Sequence, residues 1–157
     1  MNLRAPKLRD DAALAAWIRA EQARQRRVVF TSGCFDVLHV GHVRSLRAAR
    51  SLGDRLVIGL NSDDSVRGLK GPDRPYFPQE ERAEVLSELE CVDALVIVPE
   101  STMDRVLDAM RPDVFAKGTD YTVETIPERE TVLAYGGELA IVGDPKTRSS
   151  RQFRVVK

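Results

Sequence analysis

Two histidines stand three residues apart in the segment TSGCFDVLHVGH, residues 31–42. The segment follows the apolar run Val28-Val29-Phe30 and leads into a helical pattern. At the first turn of a helix, side chains three residues apart lie on one side, next to backbone N–H groups that have no partner inside the helix. Strand, glycine-containing turn and helix start follow in this order where α/β folds bind phosphate. The segment therefore predicts a phosphate site.

The residue types in this segment favour phosphate over a metal ion. Gly41 lies between the histidines, and a glycine lets a phosphate approach the backbone closely. Imidazole can be neutral or charged near neutrality, so His39 and His42 could respond to charge that grows on phosphate oxygens. The spacing would also suit a zinc pair, but the chain has no third histidine and no Cys or carboxylate cluster beside the two. Phosphate binding is the favoured interpretation, with zinc as the alternative.

The elements that would position these residues are short apolar strands that alternate with helical patterns. The predicted strands are residues 27–31, 55–60, 93–98, 113–116 and 138–142. Helices are predicted from residue 10 or 11 to about 25, over 43–52 with Gly53 as its stop, through 66–69, from Pro78 onward, over 103–110, over 128–135 and from Ser149. This alternation predicts an α/β fold: a single doubly wound, Rossmann-like, five-stranded parallel sheet with helices on both faces.

Three of these helices carry apolar stripes. Residues 1–26 form a leading helix that packs on the domain or on a partner subunit, and residues 27–157 form the domain itself. The positions predicted to be buried are Leu14, Trp17 and Ile18 in the leading helix, Val85, Leu86 and Leu89 in the helix after Pro78, and Met103, Val106, Leu107 and Met110 in the next one.

Polar and cationic residues follow several of the predicted strands. Open α/β sheets bind ligands at the edge where the carboxyl ends of the strands lie. The candidates at that edge are Asn61, Asp63, Lys70 and Arg74 after the second strand, Lys117, Gly118 and Asp120 after the fourth, and Ser149, Ser150 and Arg151 after the fifth. Their shared position favours one anion-binding site over scattered surface charges.

Composition limits the partners. The 157 residues include 24 Lys and Arg against 24 Asp and Glu, so the formal net charge is zero and any anion binding must be local. Cys34 and Cys91 are far apart and are predicted to be reduced thiols. No run approaches the roughly 18 apolar residues of a membrane span. We expect a soluble cytoplasmic protein of one domain that binds neither nucleic acid nor membrane.

The segment T-S-G-C-F-D-x-L-H-x-G-H resembles the H-x-G-H nucleotidyltransferases, the cytidylyltransferase-like group of Rossmann-type enzymes. Within that group the chain is similar to bacterial D-glycero-β-D-manno-heptose 1-phosphate adenylyltransferases, from about Val28 to Arg151 and nearly without gaps. The segments that carry this similarity are G-L-N-S-D-D-S-V-R-x-L-K-G-P-x-R-P, E-x-R-A-E-V-L, C-V-D-A-L-V, R-P-D-V-x-x-K-G-x-D-Y-T-V-E and A-Y-G-G-E.

The resemblance implies transfer of AMP from ATP to a sugar 1-phosphate, with heptose 1-phosphate favoured and pyrophosphate released. It implies Mg²⁺ as cofactor, held mainly by the triphosphate with no side-chain ligand assigned. One alternative is a cytidylyltransferase that uses CTP and glycerol 3-phosphate, another phosphorylated alcohol or a phosphonate. The other is a nucleotide-binding module without turnover, against which the intact His39, Gly41, His42 and Lys117 argue.

The resemblance also assigns roles to individual residues. The catalytic residues would be His39, His42 and Lys70. Those that bind the nucleotide would be Phe35, Asp36, Gly41, Lys117, Gly118, Asp120, Ser149 and Ser150. Those that bind the phosphate or sugar of the acceptor would be Asn61, Asp63, Arg74 and Arg151.

The chain departs from the family pattern in three places. It has Ser32 where the family has Asn, Thr119 where it has Gly, and residues 147–151 (TRSSR) where it has S-T-T-R. These departures fall where base and acceptor would be selected. The family habit further implies a homodimer. Because the domain is often fused behind a sugar kinase and Met1 stands just before the leading helix, we expect a free-standing enzyme supplied by a separate kinase.

Overall fold

The computed structural model describes residues 4–144, so the helix predicted to begin at Ser149 lies outside the described residues. Within this range the strands are β1 (Val28–Gly33), β2 (Arg55–Asn61), β3 (Ala94–Val98), β4 (Val114–Gly118) and β5 (Glu138–Val142). The helices are α1 (Asp11–Ala23), α2 (Val40–Arg50), α3 (Asp63–Lys70), α4 (Gln79–Ser87), α5 (Asp104–Met110) and α6 (Arg129–Ala134).

The strands form one parallel sheet in the order β3-β2-β1-β4-β5. The chain builds outward from β1 to β3, then crosses back and adds β4 and β5 on the other side of β1. The carboxyl ends of β1 and β4 therefore flank the point where the strand order reverses, which is where such sheets open a ligand crevice. The predicted doubly wound, five-stranded parallel sheet is confirmed.

Helices cover both faces of the sheet. Successive strand residues point to opposite faces, so Phe30 packs with α1, α5 and α6, whereas Val29 packs with α2 and α4. Strands β1, β2 and β3 are buried on both sides, which explains why their sequences are almost continuous apolar runs. None of the helices in residues 4–144 is both long and apolar enough to cross a membrane.

The leading helix is part of the core. The side chain of Asp10 caps it by accepting the N–H of Ala13 at 2.7 Å. Leu14 and Ile18 are fully buried in the cluster on the α5 and α6 side. Contact of residues 1–26 with a partner subunit stays a prediction.

The boundaries of α2 differ from those predicted. The helix begins at Val40 instead of residue 43, because His39 serves as its N-cap, and it ends at Arg50. Gly53 does not end it directly. A Cβ on Gly53 would lie 2.7 Å from the carbonyl oxygen of Arg27, so glycine is needed where this loop passes the start of β1.

Candidate active site

The two histidines themselves build the start of α2. Nδ1 of His39 accepts the N–H of Gly41 at 3.1 Å, and Nδ1 of His42 accepts the N–H of His39 at 3.2 Å. The ring centroids are 4.0 Å apart. Because both Nδ1 atoms accept, the hydrogen of each neutral ring is on Nε2, which becomes the donor atom. The helix cap thus selects the tautomer of both imidazoles.

Gly41 makes room for this arrangement. A Cβ at this position would lie 2.8 Å from Cε1 and 3.0 Å from Nδ1 of His39. The sequence predicts that this glycine lets a phosphate approach, and the structure shows that it also makes room for the imidazole of His39. The role of Gly41 in phosphate binding stays a prediction.

Phe35 holds His42 on another side. Its backbone has φ +44°, which is uncommon for a residue other than glycine, and its ring meets the edge of the His42 ring at 5.3 Å between centroids. A Cβ on Gly33 would lie 3.0 Å from the Phe35 ring. His42 is therefore fixed by Phe35 and His39 together.

Asp36 is 2% exposed and holds the loop before α4. It forms a short ion pair with Arg74, accepts the N–H of Tyr76 at 2.7 Å and that of Phe77 at 3.4 Å. The sequence placed Arg74 as a cation on a surface loop, but its side chain is only 10% exposed. The structure thus gives Asp36 and Arg74 a shared role in shaping the site wall, and direct ligand contact by either residue stays a prediction.

Asn61 and Asp63 lie at the carboxyl end of β2, as predicted, with their polar atoms bonded to the protein. The amide of Asn61 donates to Ser65 Oγ at 2.9 Å, and its oxygen faces Cys34 Sγ at 3.8 Å. Asp63 accepts from Arg82 at 2.8 Å. Both side chains therefore order the strand end.

Arg82, on α4, is a residue of this region that was not predicted from the sequence. It is 3% exposed, and its guanidinium donates to the carbonyl oxygens of Cys34 at 2.7 Å, Asn61 at 2.8 Å and Phe77 at 3.0 Å. With the ion pair to Asp63, this one side chain joins the ends of β1 and β2 to the loop before α4.

A signal for Arg82 was present in the sequence. Positions 82, 86 and 89 share the spacing i, i+4, i+7, so Arg82 lies on the same helical stripe as Leu86. The prediction that Val85 is buried was wrong, since Val85 is 49% exposed. The carbonyl groups of Cys34 and Asn61 at the strand ends need a hydrogen-bond donor, and Arg82 on this stripe is that donor.

Lys117 reaches across the crevice from β4 to β1. Its Nζ donates to Ser32 Oγ at 3.2 Å and lies 4.8 Å from the centre of the Tyr121 ring. Burial lowers the pKa of this ammonium group below its ordinary value. The next residue, Gly118, leaves open space, because a Cβ there would meet nothing within 4 Å.

Charged side chains from several elements act on the Cys34 thiol at the carboxyl end of β1. Burial raises the pKa of this thiol and the carboxylate of Asp36 acts in the same direction, while the charges of Lys70, Arg82 and Lys117 act in the opposite direction. These three cations come from α3, α4 and β4. An anion site at this end of β1, in a chain of zero net charge, stays a prediction.

Other predicted residues lie at the margin of this region. Thr119 and Asp120 are exposed, and Thr119 Oγ1 donates to the carbonyl of Asp144 at 3.0 Å, which links the ends of β4 and β5. Ser149, Ser150 and Arg151 lie outside the described residues. The part of the chain that the structure describes contains no group of three or more His, Cys, Asp or Glu side chains able to hold a metal ion.

The sequence profile of the cytidylyltransferase-like family matches residues 30–147. The chain is 51% identical over 136 residues to the bifunctional protein HldE of Geotalea uraniireducens, with 87% of this chain and 28% of the relative covered. It is 51% identical over 153 residues to the bifunctional protein HldE of Pelobacter propionicus, with 96% and 31% covered. The chain therefore spans less than a third of the length of these relatives.

Two solved structures are similar in fold. A lipopolysaccharide core biosynthesis protein from Thermoplasma volcanium superposes with a TM-score of 0.68 at 25% identity, covering 77% of this chain and 99% of the other. A pantoate-beta-alanine ligase from Francisella tularensis superposes with a TM-score of 0.62 at 16% identity, covering 89% and 67%, and this likeness concerns the fold alone.

Replacing Arg82 with Met should destabilise the protein strongly, because three backbone carbonyls and Asp63 lose their donor. Each buried acceptor left without its donor costs about 1–3 kcal/mol, and we expect a total loss of about 3 kcal/mol or more in the free energy of unfolding by urea. Arg67→Met is the matched control, since Arg67 is exposed, pairs with Asp64 and should cost at most about 1 kcal/mol. Similar losses in both variants would contradict the role given to Arg82.

Replacing Gly41 with Ala should displace the imidazole of His39, because the new Cβ overlaps the ring. We expect the ¹⁵N signals of His39 to show loss of its accepting Nδ1 in long-range ¹H–¹⁵N spectra. The control is Gly68→Ala on α3, where a Cβ meets nothing within 4 Å and should add about 0.5–1 kcal/mol of stability. Unchanged His39 signals in the Gly41 variant would contradict this account of the glycine.

Proposed function

The chain belongs to the cytidylyltransferase-like family of nucleotidyltransferases, and from that premise we propose that it moves AMP from ATP to D-glycero-β-D-manno-heptose 1-phosphate. Within the family, this substrate pair is supported by the resemblance of the motifs between Val28 and Arg151 and by about 50% identity to the HldE proteins. Because the chain spans only part of those relatives, the substrates are proposed for this domain alone.

The observation that carries the proposal is the start of α2 beside the β1–β4 crevice. Two imidazoles with the same tautomer stand at a helix N-terminus, where backbone N–H groups already favour an anion. Lys117 bridges to Ser32 across the same crevice. These donors suit a triphosphate whose charge shifts during reaction.

The reaction requires little covalent chemistry from the protein. The acceptor is a phosphate, so its oxygen is already anionic and attacks the α-phosphorus of ATP without a general base. A new bond forms between that oxygen and the α-phosphorus, the bond from the α-phosphorus to the bridging oxygen breaks, and pyrophosphate leaves with the electron pair. The work left to His39, His42, Lys70 and Lys117 is to hold the groups in line and neutralise charge.

We propose that Mg²⁺ is bound mainly through the triphosphate. Mg²⁺ in proteins keeps several waters and substrate phosphate oxygens and needs only one or two side chains. That habit suits residues 4–144, which offer no dedicated cluster of metal ligands. When bound, the ion would offset part of the triphosphate charge. The homodimer, the separate sugar kinase and the cytoplasmic location stay predictions from the sequence.

A substrate panel tests the proposal. Release of pyrophosphate should be measured for ATP, CTP, GTP and UTP against heptose 1-phosphate, glucose 1-phosphate and glycerol 3-phosphate. We expect the highest kcat/KM for ATP with heptose 1-phosphate. A preference for CTP with glycerol 3-phosphate would replace the proposal with the cytidylyltransferase alternative, and nucleotide binding without pyrophosphate from any pair would indicate a module without turnover.

His42→Ala should lower kcat on the proposed substrates by about 10²–10³, the usual cost of losing one donor to a transition state. The variant also loses the cap on the N–H of His39, so its unfolding free energy should fall by about 1 kcal/mol and leave it folded. Arg47→Ala, an exposed change on the same helix, is the control and should keep full turnover. Near-normal kcat in the His42 variant would refute its catalytic role.

A further inference from the structure

The ammonium group of Lys117 is held by side chains from two elements at the crevice between β1 and β4. Its Nζ donates to Ser32 Oγ of β1 at 3.2 Å and lies 4.8 Å from the centre of the Tyr121 ring, in the loop that follows β4. The centre of the Phe115 ring is farther away, at 5.9 Å. A cation within about 6 Å of a ring centre is attracted by the negative face of the ring. Tyr121 is therefore the nearer aromatic contact of this charge.

The turn after β4 brings Tyr121 back to Lys117. The N–H of Tyr121 donates to the carbonyl oxygen of Gly118 at 3.1 Å, which closes the turn. The Tyr121 side chain is half-buried and packs against the core cluster on the α5 and α6 side. Phe115 belongs to that cluster and lies on the same face of β4 as Lys117, because side chains two residues apart along a strand share a face. Core packing and the turn together fix the ring beside Lys117.

Packing alone does not require an aromatic side chain at position 121. An aliphatic side chain could also cover an apolar cluster, but it has no negative face to offer to an ammonium group. Burial lowers the pKa of Lys117, so its surroundings disfavour the charged form and a contact that favours the charge matters. The face of a ring attracts a cation without an acceptor lone pair, so this contact leaves N–H donors of the ammonium group for a phosphate oxygen.

We propose that Tyr121 is a positioning residue: its ring holds the charged end of Lys117 at the crevice between β1 and β4, where that group meets a phosphate of the nucleotide. The inference rests on the proposed function, in which Lys117 binds the triphosphate. Tyr121 acts through the lysine and needs no contact with either substrate. A lysine side chain that is already ordered loses less conformational freedom when the phosphate arrives, so the nucleotide binds more tightly.

Tyr121→Leu and Tyr121→Phe test the contact in the ligand-free protein. Protons over the face of an aromatic ring resonate upfield, and the chain has five lysines whose ε-CH₂ groups can be labelled with ¹³C. We expect the Lys117 signal, assigned with Lys117→Arg, to move downfield in Tyr121→Leu and to stay in place in Tyr121→Phe. Ile126→Val, a change in the same core cluster, is the control for packing and should leave the signal in place.

The second measurement is calorimetric binding of α,β-methylene-ATP with Mg²⁺, an analogue that cannot release pyrophosphate. Loss of the ring should weaken this binding by about 3- to 30-fold in Tyr121→Leu, and Tyr121→Phe should stay within about twofold of wild type. In steady-state kinetics the loss should appear in the KM for ATP and leave the KM for heptose 1-phosphate nearly unchanged. A residue with a merely structural role would, like Ile126→Val, lower stability and leave the nucleotide affinity of the folded protein in place.

An unchanged Lys117 signal or an unchanged nucleotide affinity in folded Tyr121→Leu overturns the inference. If that variant does not fold, phenylalanine and its mono-, di- and trifluorinated forms at position 121 decide, because fluorine weakens the negative face of the ring with little change in its size. A graded loss of nucleotide affinity along this series supports the inference, and equal affinity in the folded proteins overturns it. Failure of the proposed function is seen elsewhere, as absence of pyrophosphate from the wild-type protein in the substrate panel.

Discussion

The buried guanidinium of Arg82 is the interaction on which the rest of the site depends. Parallel strands end in carbonyl groups that need donors, and at β1 and β2 those carbonyls belong to Cys34 and Asn61. Arg82 satisfies both from α4 and also binds the carbonyl of Phe77. The turn that follows Cys34 leads directly to the histidines, so their position relative to β2 is set by a cation that need not touch substrate.

A chain without net charge can still build an anion site, because its cations are distributed unevenly. Lys70, Arg82 and Lys117 come from three elements and act on the half-buried thiol of Cys34 at the end of β1, where the charge of Asp36 acts against them. The three cations come to the same edge of the sheet because the parallel topology places the carboxyl ends of the strands there. Burial also lowers the pKa of Lys117, so the surroundings that gather these cations oppose the charge of the lysine itself.

The sequence predicted the parts of the molecule that depend on local pattern. Apolar runs located the strands, and the histidine pair marked the approach to α2, although the helix begins at Val40, three residues before the predicted start. The pairing of Asp36 with Arg74 was not predictable in this way, since it joins residues 38 apart through the packing of a loop. Arg82 was missed for a related reason: a charged residue on an apolar stripe is informative only when the carbonyls that it meets are known.

The departures from the family pattern have different structural consequences. Ser32 replaces Asn and accepts from Lys117, so the position still supplies an acceptor to the lysine across the crevice. The hydroxyl of Thr119 donates a hydrogen bond to the carbonyl oxygen of Asp144 and so links the ends of β4 and β5. Neither change fills the open space at Gly118. The departure at Thr119 therefore acts on the framework that joins the ends of β4 and β5.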